Sequence, residues 1–166
     1  MIYIADVSKL KAACDKILLQ EDLKPEVDAK GNLINTYCNL GVYRIARELG
    51  VDKFFYNTTT ARPMLATEIA LACAENSLRF EHVEPERAKS DADSGLLVIA
   101  AQVGVPGVNG GHGHVDIVYP GKPMTYSGKW GMLVPVVANI GKQNLVEGTN
   151  YAFGAKVPNF YSMRIG

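Results

Sequence analysis

A chain of 166 residues is long enough for one domain with its own core, and folding would bury roughly 68–70% of the surface an unfolded chain of this size exposes, so neither a metal nor a disulfide is needed for stability. With 17 basic and 17 acidic residues the formal net charge is zero, which excludes the general basic footprint of a nucleic-acid or anionic-membrane binder. No apolar run approaches the roughly 18 residues of a membrane span, and the N-terminus lacks the basic start, apolar core and small-residue cleavage site of a secretory leader.

The first predicted helix covers about residues 8–19. Asp6 or Ser8 caps it, and Leu10, Ala13, Cys14, Ile17 and Leu18 form its apolar face. Residues 21–32 are polar and contain Pro25 and Gly31, so they read as a loop. From Cys38 the sequence C-N-L-G-V-Y-R-I-A-R-E-L-G reads as a second helix closed by Gly50, with Val42, Ile45, Ala46 and Leu49 on its buried face. Arg44 and Arg47 on this helix read as a solvated face rather than a phosphate clamp. A third helix is predicted over 62–75, with Thr60 as N-cap and Pro63 near its first turn. The aromatic run Phe54, Phe55, Tyr56 reads as core, with Tyr56 and Asn57 near enough to a loop to touch a ligand.

The second half changes character. Segments 96–101, 114–119, 123–126, 134–138 and 160–164 are short, β-prone and separated by glycine-rich turns. No spacer reads as a crossover helix, so antiparallel pairing is expected. Helices followed by strands predict an α+β fold, with residues 1–166 as one catalytic domain. The stretch 147–161 reads as wrapping the sheet or lining one end of a groove.

Three cysteines cannot all pair within one chain, and their spacing lacks a zinc-ligand pattern. Cys14 and Cys73 sit in apolar helical contexts and read as small buried hydrophobes. Cys38 is different, because it stands where loop turns to helix. At a helix start the unpaired N–H groups and the helix dipole favour negative charge, and a nearby imidazolium adds to the effect. A thiol so placed is a candidate nucleophile.

His82, among charged residues in R-F-E-H-V-E-P-E-R, reads as solvated surface. His112 and His114 lie in G-G-H-G-H-V-D-I-V, where a glycine loop becomes a strand. His114 is the better base, since the strand would hold its ring. A base needs an orienting group. Asn139, after V-P-V-V-A, is favoured for that role, with Asp116 as competitor. Ideal strand spacing of about 3.3 Å per residue separates His114 from Asp116 by two rises and makes their direct contact awkward. The Cys38 backbone N–H, with Tyr37 or Asn35, is the expected oxyanion donor set. Tyr37, Tyr56, His112, Asp116 and Trp130 are the expected substrate contacts. Neither a metal nor another cofactor is expected.

Cys38 in N-T-Y-C-N, His114 in G-H-V-D-I-V and Asn139 in P-V-V-A-N occur in an order that resembles the NlpC/P60 and CHAP-like papain-fold cysteine amidases. The resemblance spans about residues 32–140. It implies a papain-like α+β fold, with N-terminal helices packed on a C-terminal antiparallel sheet. It further implies Cys38 as nucleophile, His114 as base, Asn139 as third polar group and peptidoglycan or its peptide fragments as partner, at a secreted or periplasmic site. The D-C-S or glutamine-before-cysteine environment of that group is replaced here by T-Y-C-N, and Asp116 stands where similar strands favour a small or apolar residue. The sequence leaves open any protein inhibitor or carrier. Two other readings are distinct in kind: a metal hydrolase using His112, His114 and Asp116 on one strand face, and a non-enzymatic wall-peptide or carbohydrate module with an aromatic groove of Tyr37, Tyr56, Tyr126 and Trp130.

Overall fold

A computed structural model describes residues 3–154 and 156–166; Met1, Ile2 and Ala155 of the expected 1–166 domain lie outside the described residues. Helix α1 (Val7–Leu18) begins at Asp6, whose carboxylate accepts the Lys9 N–H at 3.0 Å. A short hairpin follows, β1 (Glu26–Val27) with β2 (Leu33–Asn35), inside the stretch expected to be loop. Helix α2 (Cys38–Glu48) starts at Cys38. A second small hairpin, β3 (Tyr56–Asn57) with β4 (Arg62–Pro63), leads to α3 (Ala66–Glu75). The third helix therefore begins four residues later than predicted. Pro63 lies in a strand rather than a first turn, and the Glu68 carboxylate reaches back to the Leu65 N–H at 2.6 Å.

Strand β5 (Phe80–Val83) is followed by α4 (Pro85–Asp93), β6 (Val98–Gln102) and β7 (His114–Val118). A third hairpin, β8 (Thr125–Ser127) with β9 (Met132–Val134), precedes β10 (Val136–Ile140) and β11 (Asn144–Gly148). Helix α5 (Thr149–Phe153) and β12 (Asn159–Met163) complete the chain. The main sheet has the order β11-β10-β7-β6-β12-β5, and every pairing in it is antiparallel. This is an α+β protein with a six-stranded antiparallel sheet. Because β12 inserts between β5 and β6, those two strands run parallel to one another, and α4 is the crossover between them.

The sheet carries a core on each face. Ile99 and Ala101 of β6, Val115 and Ile117 of β7, and Val136, Ala138 and Ile140 of β10 face the main cluster, formed with α1, α2 and α3. Their neighbours Val98, Ala100, Val118 and Val137 face a second cluster with Ala88 and Ala92 of α4 and Phe153 of α5. The expected packing of N-terminal helices on the sheet thus describes one layer; α4 and α5 form a second. Close approach of α2 to the sheet depends on Gly41, where a Cβ would stand 2.4 Å from Ile140 Cδ1.

Candidate active site

Cys38 is the first residue of α2, and Tyr37, at the N-cap position, provides no side-chain hydrogen bond to the first turn. That turn keeps backbone donors directed outward beside the thiol. The Tyr37 carbonyl accepts the Gly41 N–H at 2.9 Å, and the Asn39 side chain donates to the Met64 carbonyl at 2.9 Å, which ties the turn to the segment ahead of α3. Cys38 is 7% exposed and belongs to the main core cluster.

His114 is the first residue of β7 and Gly113 seats it. A Cβ on Gly113 would lie 2.5 Å from the Gln102 carbonyl and 2.8 Å from Thr67 Oγ1, so only glycine lets the loop pass between β6 and α3. The β10–β7 ladder pairs Val137 with Val118 and Ala138 with Ile117 and then ends. Beyond it the Asp116 carboxylate, rather than a ladder carbonyl, accepts the Ile140 N–H at 3.4 Å. The parted strands leave space for polar side chains.

His114 Nε2 lies 2.9 Å from Asp116 Oδ2 and 3.2 Å from Asn139 Oδ1. The Asn139 amide is oriented by its other end, because Nδ2 donates to Glu147 Oε1 at 2.6 Å. Both groups at Nε2 are therefore oxygen acceptors, and Nε2 carries a proton. Nδ1 is left as the nitrogen that can exchange a proton with a thiol. The ring packs edge-on against Phe153, centroid to centroid 4.8 Å.

By strand alternation His114, Asp116 and Asn139 belong to the face of the second cluster, whereas Cys38 sits on a helix of the first. Helix α2 packs on β7, which brings the two faces near one another where both elements begin. Burial alone would lower the pKa of His114, but the charge and hydrogen bond of Asp116, with a lesser contribution from the nearby Cys38, hold it well above 6.5. Burial pushes the Asp116 carboxyl up from its ordinary range, against the opposing pull of the His114 charge. The His114 side chain remains 19% exposed, while that of Asp116 is 1% exposed. An imidazole polarised by a buried carboxylate, with a thiol at a nearby helix start, has the groups needed to accept and return a proton while the sulfur attacks an electrophilic carbon.

His114, Asn139 and Asp116 come together, and Cys38 opens the helix that packs on the strand carrying His114. Asp116 is walled off from solvent, so it is no substrate contact, and its bond to His114 corrects the expectation that i, i+2 spacing keeps them apart. His114 occupies the first position of β7, where the ladder to β10 has ended, and its side chain leans along the strand. Trp130 packs into the second cluster, on the face of the sheet opposite α2, and forms no wall beside the Cys38 turn. The Tyr37 hydroxyl donates to Glu26, and Asn35 Oδ1 accepts the Thr36 N–H at 2.9 Å. The Tyr37 hydroxyl proton is thus committed to Glu26, whereas the Asn35 bond uses only its acceptor oxygen, so the Cys38 backbone N–H and the Asn35 amide N–H remain as donors of the expected oxyanion set. Tyr56 is half-buried against Tyr43 of α2, their ring centroids 6.0 Å apart.

His112 is exposed ahead of β7, its ring folded over Gly110. It does not share a continuous strand face with His114 and Asp116. Among the described residues no group of three or more His, Cys, Asp or Glu side chains is arranged to hold a metal ion, so the three-ligand reading loses its geometric basis. His82 is exposed on the edge strand β5, against Tyr161. Arg44 is committed to Gln20 and to both oxygens of Asp22, an internal clamp rather than a phosphate site. Cys14, Cys38 and Cys73 are free thiols. Burial raises those of Cys14 and Cys73 to about 12.

Glu147 is absent from the sequence-predicted site. Its signal is the run V-V-A-N-I, the turn G-K-Q and the run N-L-V-E-G, which together form a hairpin that pairs Val137 with Glu147. Comparison with protein-family models, curated proteins and solved structures returned no match. Among the described residues, no helix is long and apolar enough to cross a membrane.

Proposed function

We propose that this chain is a cysteine-dependent amide hydrolase of papain-like, NlpC/P60- or CHAP-type architecture, acting on peptidoglycan peptides at a secreted or periplasmic site. The observation that carries the reading is a His114 ring whose Nε2 lies against Asp116 and Asn139, on the strand over which α2, with Cys38 at its uncapped start, is packed. His114 Nδ1 takes the Cys38 proton and the thiolate adds to the amide carbon. The backbone N–H of Cys38 faces the developing oxyanion. Collapse breaks the C–N bond as the imidazolium protonates the departing amine, leaving a thioester. Water, deprotonated by His114, then adds to the thioester carbon and the thiolate departs, releasing a carboxylate. Hydrolysis yields one new amine and one new carboxylate per bond cleaved.

The test combines peptidoglycan digestion, with mass spectrometry of the fragments, and thiol labelling by iodoacetamide. Fragments gaining one water are expected from the wild type and none from Cys38→Ala. One thiol, Cys38, should label rapidly in the folded protein, with Cys14 and Cys73 labelling only after unfolding. Full hydrolysis by a folded Cys38→Ala variant would remove Cys38 from the mechanism. Tight binding of peptidoglycan without any cleavage, together with an unreactive Cys38, would make the chain a wall-binding module instead.

A further inference from the structure

The Asn139 amide is held at both ends, and the group at its far end has no assigned task. Glu147 projects from β11 at the position paired with Val137, on the same face of the sheet as Asn139, and accepts the Asn139 Nδ2–H at 2.6 Å. Asn139 Oδ1 in turn lies 3.2 Å from His114 Nε2. We infer that Glu147 is a positioning residue of the proposed hydrolase, which acts through Asn139 to keep the His114 proton on Nε2 and leave Nδ1 for Cys38. The inference rests on the cysteine-hydrolase reading above.

An asparagine amide can rotate by half a turn at little cost in volume. If Asn139 did so here, its NH₂ would face the Nε2–H of His114, donor against donor, and its carbonyl would face the Glu147 carboxylate, acceptor against acceptor. Both contacts would be lost and replaced by repulsion. With Glu147 ionised only one orientation satisfies both ends. Without it, the flipped amide could donate to an unprotonated Nε2, which favours the tautomer with hydrogen on Nδ1. That neutral ring cannot take the thiol proton through the nitrogen left for Cys38. Asp116 also holds Nε2, so the loss of Glu147 should weaken the bias without abolishing it. Glu147 touches none of the reacting atoms, and its whole effect must pass through Asn139.

Four variants of the full chain test this: Glu147→Ala, Glu147→Gln, Asn139→Ala and the Asn139→Ala/Glu147→Ala double. The first readout is the rate of Cys38 alkylation by iodoacetamide in the folded protein at neutral pH. Glu147→Ala should slow it about fivefold, the size of one net hydrogen bond. Glu147→Gln, whose side-chain oxygen can still accept from Nδ2, should retain most of the rate. The double variant should be no slower than Asn139→Ala alone, because a residue acting through Asn139 has nothing to act on once the amide is gone. The second readout is the pair of ¹⁵N shifts of the His114 ring at a pH where it is neutral. Protonated Nε2 is expected in the wild type, with a shift toward the other tautomer in Glu147→Ala. Additive rate losses in the double variant, or ¹⁵N shifts identical in the wild type and Glu147→Ala, would overturn the inference. Should Glu147→Ala fail to fold, Glu147→Leu replaces it, similar in volume and lacking an acceptor. If wild-type Cys38 alkylates no faster than an ordinary thiol, the nucleophile reading fails on its own, and the ring shifts still decide the role of Glu147.

Discussion

Replacing Asp116 by asparagine keeps the shape of the site and removes its buried negative charge. Asp116 makes two contacts, 2.9 Å from His114 Nε2 and 3.4 Å from the Ile140 N–H, which its carboxylate accepts. The amide must set its NH₂ against one of these donors. No cavity is opened, so the loss is that of a hydrogen bond to a charged group, about 1.5–3 kcal/mol. For a chain of this length that corresponds to a fall in Tm of about 3–12 °C. The sign depends on pH. The folded-state pKa of His114 is raised well above 6.5, so its contribution to stability is complete below 6.5 and is lost as pH rises through the raised value. The Asp116 carboxyl is raised above 3.8, so its own contribution is present below 3.8 and fades as pH rises through its raised value. On the alkaline side the wild type keeps a buried carboxylate against a neutral ring, and the Asp116→Asn variant no longer stands at a disadvantage. Thermal melts of both proteins at several values between about pH 5.5 and pH 9.5 should therefore show a gap that is widest at the acidic end and closes toward the alkaline end. A gap of constant width across that range would show that Asp116 stabilises by packing and not through its charge on His114.

Two further outcomes test how the site is carried. Gly41→Ala would place a Cβ 2.4 Å from Ile140 Cδ1 and should cost about 1–3 kcal/mol by overpacking; Ile140→Val removes that methyl, and the double variant should recover part of the loss in denaturant melts. The Glu68 carboxyl is held down at about 2 by the Arg62 guanidinium and the Leu65 N–H, so its contribution is present above 4.5 and lost as pH falls toward 2. Both side chains of the pair are about one-third exposed, so Glu68→Gln should cost no more than about 1 kcal/mol at neutral pH; the two proteins should become equally stable in acid melts near the foot of that range.

Helix periodicity makes α1 and α2 legible nearly to the residue, since Leu10, Ala13, Cys14 and Ile17 recur on one face and Asp6 is a good cap. The start of α2 at Cys38 is legible for the same reason, and with it the distinction between one thiol at a helix start and two within helices. The second layer is not legible. R-F-E-H-V offers only a short strand, with Glu81 and His82 turned partly or wholly outward; its membership of the sheet depends on β12, about 80 residues further on. Helix α4 is rich in charge, and its buried side reduces to Pro85, Ala88, Asp91 and Ala92, too small a stripe to stand out in the sequence. The same gap misplaces Trp130: with no second layer in view, an aromatic residue in a glycine-rich turn has only the groove to belong to.

Asp116 fails for a different reason. Ideal strand spacing separates neighbouring side chains on one face by two rises of about 3.3 Å, and on a regular strand that argument holds. His114 stands at the first position of β7, beyond the last paired residues of the β10–β7 ladder, where its ring leans along the strand and closes to 2.9 Å. Continuing that ladder by two residues would place Asp116 opposite Asn139 and occupy the Ile140 N–H with a backbone partner. The same break that brings Asp116 to the ring lets Asn139 and Glu147 reach in from β10 and β11. A rule drawn from regular strands thus misjudges this residue at the place where the sheet becomes irregular, and that irregularity gives His114 its orienting groups.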